Sequence, residues 1–198
     1  MRQARIAVFV SGSGSNLQAL LDAQTGGRLP SGQIALVVSD REGAFALQRA
    51  KTAGIPALVI SRKDESMERR LEETLRDHRI DLIVLAGYLT ILSPEFVSAH
   101  QGRIINVHPS LLPAFGGKGY YGLKVHEAAL RRGVKISGAT VHIVTEEPDG
   151  GPIVLQKAVR VLKGDTPESL QKRIMQKAEW LLLPRAAEIL CKEILHGK

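Results

Sequence analysis

Cysteine occurs once in the 198 residues, as Cys191, so no internal disulfide can form and no thiolate cluster can assemble around zinc. Aromatic residues make up only 4% of the chain. Long apolar runs are missing too: nothing approaches the ~20 residues of a membrane-spanning helix, and no membrane partner is expected. The opening, MRQARIAVFV, sets two arginines ahead of an apolar segment in the manner of a secretion signal. That segment covers only Ile6 to Val10 and runs into a glycine-rich turn instead of a cleavage site, so it reads as a first strand. The cytoplasm is the expected compartment. Acidic residues are the minority, 20 against 27 Lys and Arg, for a net charge of +7. The excess is dispersed. Between Arg62 and Asp81 six Lys/Arg alternate with seven Asp/Glu, as on a solvated helix face. No aromatic residues interleave with a basic stripe, so anionic small molecules, not nucleic acid, are the expected partners.

The β-type run over 5–10 stops at Ser11-Gly12-Ser13-Gly14-Ser15-Asn16, after which Leu17, Leu20 and Leu21 take helical spacing. Strand, glycine turn and helix suit a phosphate. Glycines let the backbone come close, and the free amides of a helix N-terminus attract anions. The third glycine of the dinucleotide fingerprint is missing, and no Lys-Ser/Thr follows as in the triphosphate loop. A single phosphate monoester is the simpler ligand. The alternative is a plain turn with a Ser or Asn cap. Residues 33–40, 57–61 and 81–86 read as further strands, alternating with helices over 44–53 and 66–78. The alternation predicts an α/β protein with a doubly wound, mostly parallel sheet, Rossmann-like in plan, with ligands beyond the carboxyl ends of its strands. No repeat, low-complexity tract or linker divides the chain, and residues 1–198 read as one domain.

The fifth strand lies in RIINVHPSLLP, residues 103–113, where Asn106 and His108 interrupt a β-branched run and share one face. Buried polar groups are costly without partners. The pair is either a hydrogen-bonded core element that pins the next loop or part of a site. After a glycine- and aromatic-rich loop (AFGGKGYYG) comes a helix over 123–132. Two long strand-like runs, 135–146 and 152–162, then form an antiparallel hairpin whose loop at the sheet's end carries Asp149 before Gly150 and Gly151. That aspartate is either an ordinary turn residue or a partner for Asn106 and His108. A last helix opens at Thr166-Pro167 and is broken or kinked at Pro184. The other histidines, His100, His126, His142 and His196, read as structural or exposed. Alternation along KISGATVHIV does not decide where His142 points.

GSGSN near the start, INVHPSLLPAF in the middle and an Asp-Gly-Gly-Pro loop downstream together resemble the folate-dependent formyltransferases of purine synthesis over the whole chain. The resemblance implies that Asn106, His108 and Asp149 form a catalytic trio. It implies transfer of the formyl group of 10-formyltetrahydrofolate, a co-substrate, to the amine of glycinamide ribonucleotide, with no metal. Amine attack makes a tetrahedral oxyanion. Asn106 and a protonated His108 would donate to it, Asp149 would raise the His108 pKa, and Asp149 and His108 would relay the proton. Gly14, Ser15 and Asn16 would hold the ribonucleotide phosphate and Glu179 the ribose hydroxyls, the latter against a plain surface carboxylate. Leu89, Thr90, Ile91, Leu92 and Asn106 would hold the formyl folate. Two departures stand out: some relatives have Arg at the Thr90 position, and the GGKGYYG segment is longer than in some. The resemblance leaves a monomer or a homodimer open. Rivals are a methionyl-tRNA formyltransferase, which carries a C-terminal nucleic-acid-binding domain, and a deformylase, which usually has an extra N-terminal regulatory domain. Neither is expected here. A phosphate-binding module without chemistry would leave the trio without a purpose.

Overall fold

A computed structural model describes residues 2–197. Its elements alternate as expected: β1 (Ala4–Val10), α1 (Ser15–Thr25), β2 (Gly32–Ser39), α2 (Phe45–Thr52), β3 (Ala57–Val59), α3 (Met67–Asp77), β4 (Leu82–Leu85), α4 (Pro94–Ala99) and β5 (Ile104–His108). Then follow α5 (Leu123–Arg132), β6 (Ile136–Ile143), β7 (Ile153–Arg160), α6 (Pro167–Ile174), a π turn (Met175–Glu179) and α7 (Trp180–Leu195). The strands form one seven-stranded sheet in the order β3-β2-β1-β4-β5-β6-β7. It is parallel from β3 to β5, and β6 and β7 add antiparallel at the end. The order reverses between β1 and β4, the crevice where doubly wound sheets bind ligands.

Both faces of the sheet are covered, which is why the strands read as nearly continuous apolar runs. Ile6, Val8, Val84, Ile105 and Val107 pack in one core with Leu17 and Leu20 of α1 and Leu183 and Ala187 of α7. Ala7, Phe9, Ile83, Leu85 and Ile104 pack in a smaller core with Leu71 and Leu75 of α3 and Phe96 of α4. Asn106 and His108 continue the Ile104 row, so the smaller core gives way to polar side chains as β5 ends. The Leu92 side chain is buried in this second core, so a ligand along residues 89–92 would meet it through backbone.

Pro184 does not break the last helix; it sits inside α7. The irregularity falls one turn earlier, because a proline's missing donor and its ring bear on the carbonyl four residues back. A π turn there absorbs the mismatch. The β6–β7 loop also does not lie at the carboxyl end of the sheet. β6 runs antiparallel to β5, so the chain leaves it beside Ile104, where the Val144 amide donates to the Ile104 carbonyl. The loop then folds back across the face that carries Asn106 and His108.

Candidate active site

Antiparallel register sets Asn106 directly opposite His142 and His108 opposite Thr140. Cross-strand neighbours share a face, and Asn106 Nδ2 lies 3.2 Å from His142 Nε2. The returning loop inserts Asp149 between the two histidines. Its Oδ2 is 3.4 Å from His108 Nδ1 and its Oδ1 is 3.4 Å from His142 Nε2. Asp149 holds a left-handed backbone, φ 57°, a conformation that aspartate tolerates better than most residues. Two residues on, a Cβ at Gly151 would overlap the Ile143 carbonyl oxygen, so only glycine lets the loop pass this close to β6.

The glycine-rich loop after β5 completes the cluster. The Gly117 amide donates to Asp149 Oδ2 at 2.8 Å. His108 Nε2 lies 2.8 Å from the Phe115 carbonyl. A carbonyl only accepts, so Nε2 carries hydrogen and Nδ1 is the nitrogen turned to Asp149. By the same logic His142 Nδ1, 2.9 Å from the Ile143 carbonyl, carries hydrogen, and its Nε2 lies between the Asn106 amide and Asp149 Oδ1. Four side chains from β5, β6 and one loop thus share one network.

Electrostatics revise the expected charge of His108. Burial pushes its pKa below the ordinary 6.5 and outweighs the upward pulls of Asp149 and the Phe115 carbonyl. His108 is therefore neutral at pH 7 in the free protein, not the protonated partner expected from the sequence. Burial alone would raise Asp149, but His142, His108 and the Gly117 amide together hold it below the ordinary carboxylate value. Asp149 is ionised. His126 of α5, fully buried with no ring partner among the described residues, is pushed down to about 4 by burial and then by His108.

The second polar region lies at the start of α1. Gly14 caps the helix at φ 71°, and a Cβ there would meet Ala46 Cβ at 2.6 Å, so helix packing as well as the turn demands glycine. The first amides of α1, from Ser15 onward, have no partner within the helix and are the groups offered to an anion. The Asn16 side chain is committed inward: Nδ2 donates to Glu179 Oε2 at 2.7 Å, and Oδ1 is buried without a partner. Glu179 closes the π turn and is only 6% exposed, which overturns the plain surface reading. Burial, opposed by the Asn16 hydrogen bond, pushes its carboxyl up to about 7.

The third region follows β4, beside Asn106, since Leu85 pairs with Asn106 in the sheet. Leu89 and Ile91 are exposed there, and Thr90 is half-buried with its hydroxyl donating to Asp40. His142 is the member of the main cluster whose place near the site alternation leaves undecided. The signal lay in pairing β6 with β5 as well as with β7, which puts His142 opposite Asn106.

A family profile described as formyl transferase matches residues 4–186. The chloroplastic phosphoribosylglycinamide formyltransferase of Arabidopsis thaliana is 41% identical over 197 residues, covering 97% of this chain and 67% of that protein. The trifunctional purine biosynthetic protein adenosine-3 of Drosophila melanogaster is 46% identical over 194 residues, covering 96% of this chain. This chain spans only 14% of that much longer protein. Among solved structures, glycinamide ribonucleotide transformylase 1 from Symbiobacterium toebii superposes with a TM-score of 0.88 at 43% identity, covering 96% of this chain and 88% of that one.

Proposed function

This chain belongs to the formyl transferase family, and from that membership we propose that it moves the formyl group of 10-formyltetrahydrofolate onto the amine of glycinamide ribonucleotide. The products are formylglycinamide ribonucleotide and tetrahydrofolate, a step of de novo purine synthesis. The observation that carries this reading is the network of Asn106, His108, His142 and Asp149 where the smaller core ends.

The reaction joins the amine nitrogen to the formyl carbon and then breaks that carbon's bond to the folate nitrogen. One proton leaves the amine and one reaches the folate. Neutral His108 is suited to accept the first, because Nδ1 is the nitrogen without hydrogen. The imidazolium so formed lies beside Asp149 and the Phe115 carbonyl, both of which favour the charged form. It then supports the oxyanion together with the Asn106 amide, and it returns the proton to the folate nitrogen directly or through water. One oxyanion donor is worth about 3 kcal/mol. Burial keeps His108 uncharged until the substrate arrives, and Asp149 stabilises it once it takes the proton.

In this scheme the first amides of α1, with Gly14, Ser15 and Asn16, hold the ribonucleotide phosphate. Glu179, oriented by Asn16, accepts from the ribose hydroxyls. The exposed Leu89 and Ile91, with the backbone around Thr90 and Leu92, hold the folate beside Asn106. No helix among the described residues is long and apolar enough to cross a membrane. We place the activity in the cytoplasm, in a single domain over residues 1–198 that acts on small molecules as a monomer or homodimer. The test is tetrahydrofolate release by purified protein given 10-formyltetrahydrofolate with and without glycinamide ribonucleotide. Release only with the ribonucleotide supports transfer; release without it replaces transfer by deformylation.

A further inference from the structure

Asp40 ends the strand run of β2 and is 3% exposed, yet the chemistry above does not use it. A buried carboxylate is costly unless its oxygens are engaged. Here both are. Oδ2 accepts from the Thr90 hydroxyl at 2.9 Å, and Oδ1 accepts from Arg41 Nε at 3.1 Å. Thr90 belongs to the segment after β4, and two further contacts hold that segment from other elements. The Ser11 hydroxyl, at the end of β1, accepts from the Leu89 amide at 2.8 Å. Glu68 of α3 accepts from the Ser93 amide and the Ser93 hydroxyl, each at 2.6 Å. Three anchors from β1, β2 and α3 therefore fix five consecutive residues that belong to no strand or helix. Between the anchors Leu89 is 50% and Ile91 83% exposed. Rigid backbone with exposed apolar side chains is an arrangement that favours a flat, partly apolar ligand, because little conformational freedom is left to lose on binding.

We propose that Asp40 is a positioning residue for formyl folate: through Thr90, and together with Ser11 and Glu68, it holds the Leu89–Ser93 backbone in the conformation that receives the pterin end. The proposal rests on the transformylase reading. Arg41 balances the Asp40 charge and, with 46% of its side chain exposed, keeps that balance at the rim of the segment. Next to the segment, the Tyr88 ring packs edge-on against Phe9 on the inner side. Loss of the Asp40 anchor frees Thr90 without touching the α1 terminus or Asp149.

The test is the pair Thr90→Val and Thr90→Ser, with Asp40→Ala and Asp40→Asn as a second pair. Steady-state kinetics are read for both substrates, and tetrahydrofolate binding is measured by anaerobic calorimetry. Thr90→Val and Asp40→Ala are expected to raise the KM for formyl folate and the Kd for tetrahydrofolate about tenfold, the worth of one hydrogen bond to a charged group. In the Asp40 variants the KM for the ribonucleotide and kcat should stay near wild type. Thr90→Ser and Asp40→Asn, which keep a donor and an acceptor, should restore most of the affinity. Unchanged folate parameters in the Val and Ala variants overturn the proposal. So does a general loss in which both KM values, kcat and Tm move together, because that is a merely structural role. Wild-type protein that leaves tetrahydrofolate unbound removes the transformylase reading itself, and this proposal with it. Wild-type binding with insensitive variants removes this proposal alone.

Discussion

Asp149 and Glu179 are both carboxylates in poorly exposed sites, and their pKa values move in opposite directions. Asp149 faces two imidazoles and a backbone amide, which overcome its burial and hold its pKa below the ordinary value. Glu179 has one neutral partner, the Asn16 amide, which does not overcome burial, and its carboxyl rises to about 7. Deeper burial raises Glu179, while the polar groups around the less buried Asp149 outweigh its burial. A fixed negative charge suits a group that stabilises a transient imidazolium. A carboxyl near neutrality suits a group that exchanges hydrogen bonds with sugar hydroxyls.

Several changes would break or sharpen that contrast. The largest effect is expected at His108. His108→Ala should lower kcat roughly 10³-fold, since it removes both a base and an oxyanion donor. Ribonucleotide binding, followed by calorimetry, should survive. Lost ribonucleotide affinity would make His108 a ligand contact instead.

Next comes the pH dependence of stability. Glu179 has a folded pKa of about 7 against an ordinary 4.5, so between those values the folded state binds more proton than the unfolded one. Its contribution is full below pH 4.5 and is lost as pH rises through 7, about 3 kcal/mol in all. His126 runs the other way. Its folded pKa of about 4 against 6.5 means that stability falls as pH drops through that window. The two slopes oppose each other in the wild type. Denaturant unfolding of Glu179→Gln from pH 4.5 to 7 should show stability rising with pH more steeply than in wild type. Parallel curves would mean that Glu179 is ionised throughout.

A smaller effect is expected at His142. His142→Phe keeps the ring volume but removes the Asn106 partner and one neighbour of Asp149, and should lower kcat about tenfold. It should also narrow the pH range of activity from the acid side, because Asp149 loses a group that holds its pKa down. An unchanged pH profile would leave His142 a packing residue.

Much of the frame is legible in the residues. The strands of the parallel half read as apolar runs because both their faces are buried, and Asn106 and His108 stand out against one of those runs. Asp149 is visible as a candidate only beside Asn106 and His108 and through the family resemblance, since the glycines after it mark an ordinary turn. Other features depend on distance in sequence. His142 joins the cluster only through the β5–β6 pairing, and strict alternation along KISGATVHIV could serve either face. Glu179 looks like an ordinary helix carboxylate because the π turn that buries it has no marker apart from Pro184, one turn downstream. The charge of His108 was misjudged for a related reason. A neighbouring carboxylate can be inferred from motif spacing, but the desolvation that outweighs it comes from the fold as a whole.

The most direct test of the contrast is kcat for ribonucleotide-dependent formyl transfer at saturating substrates, measured side by side for Asp149→Asn and Glu179→Gln. Asp149→Asn removes the charge that stabilises protonated His108 and should lose roughly 10²-fold or more in kcat. Glu179→Gln keeps a neutral hydrogen-bonding group and should hold kcat within a few-fold of wild type, with its effect confined to the ribonucleotide KM. Near-normal kcat in Asp149→Asn, or a collapse of kcat in Glu179→Gln, would contradict the division of roles between the two carboxylates.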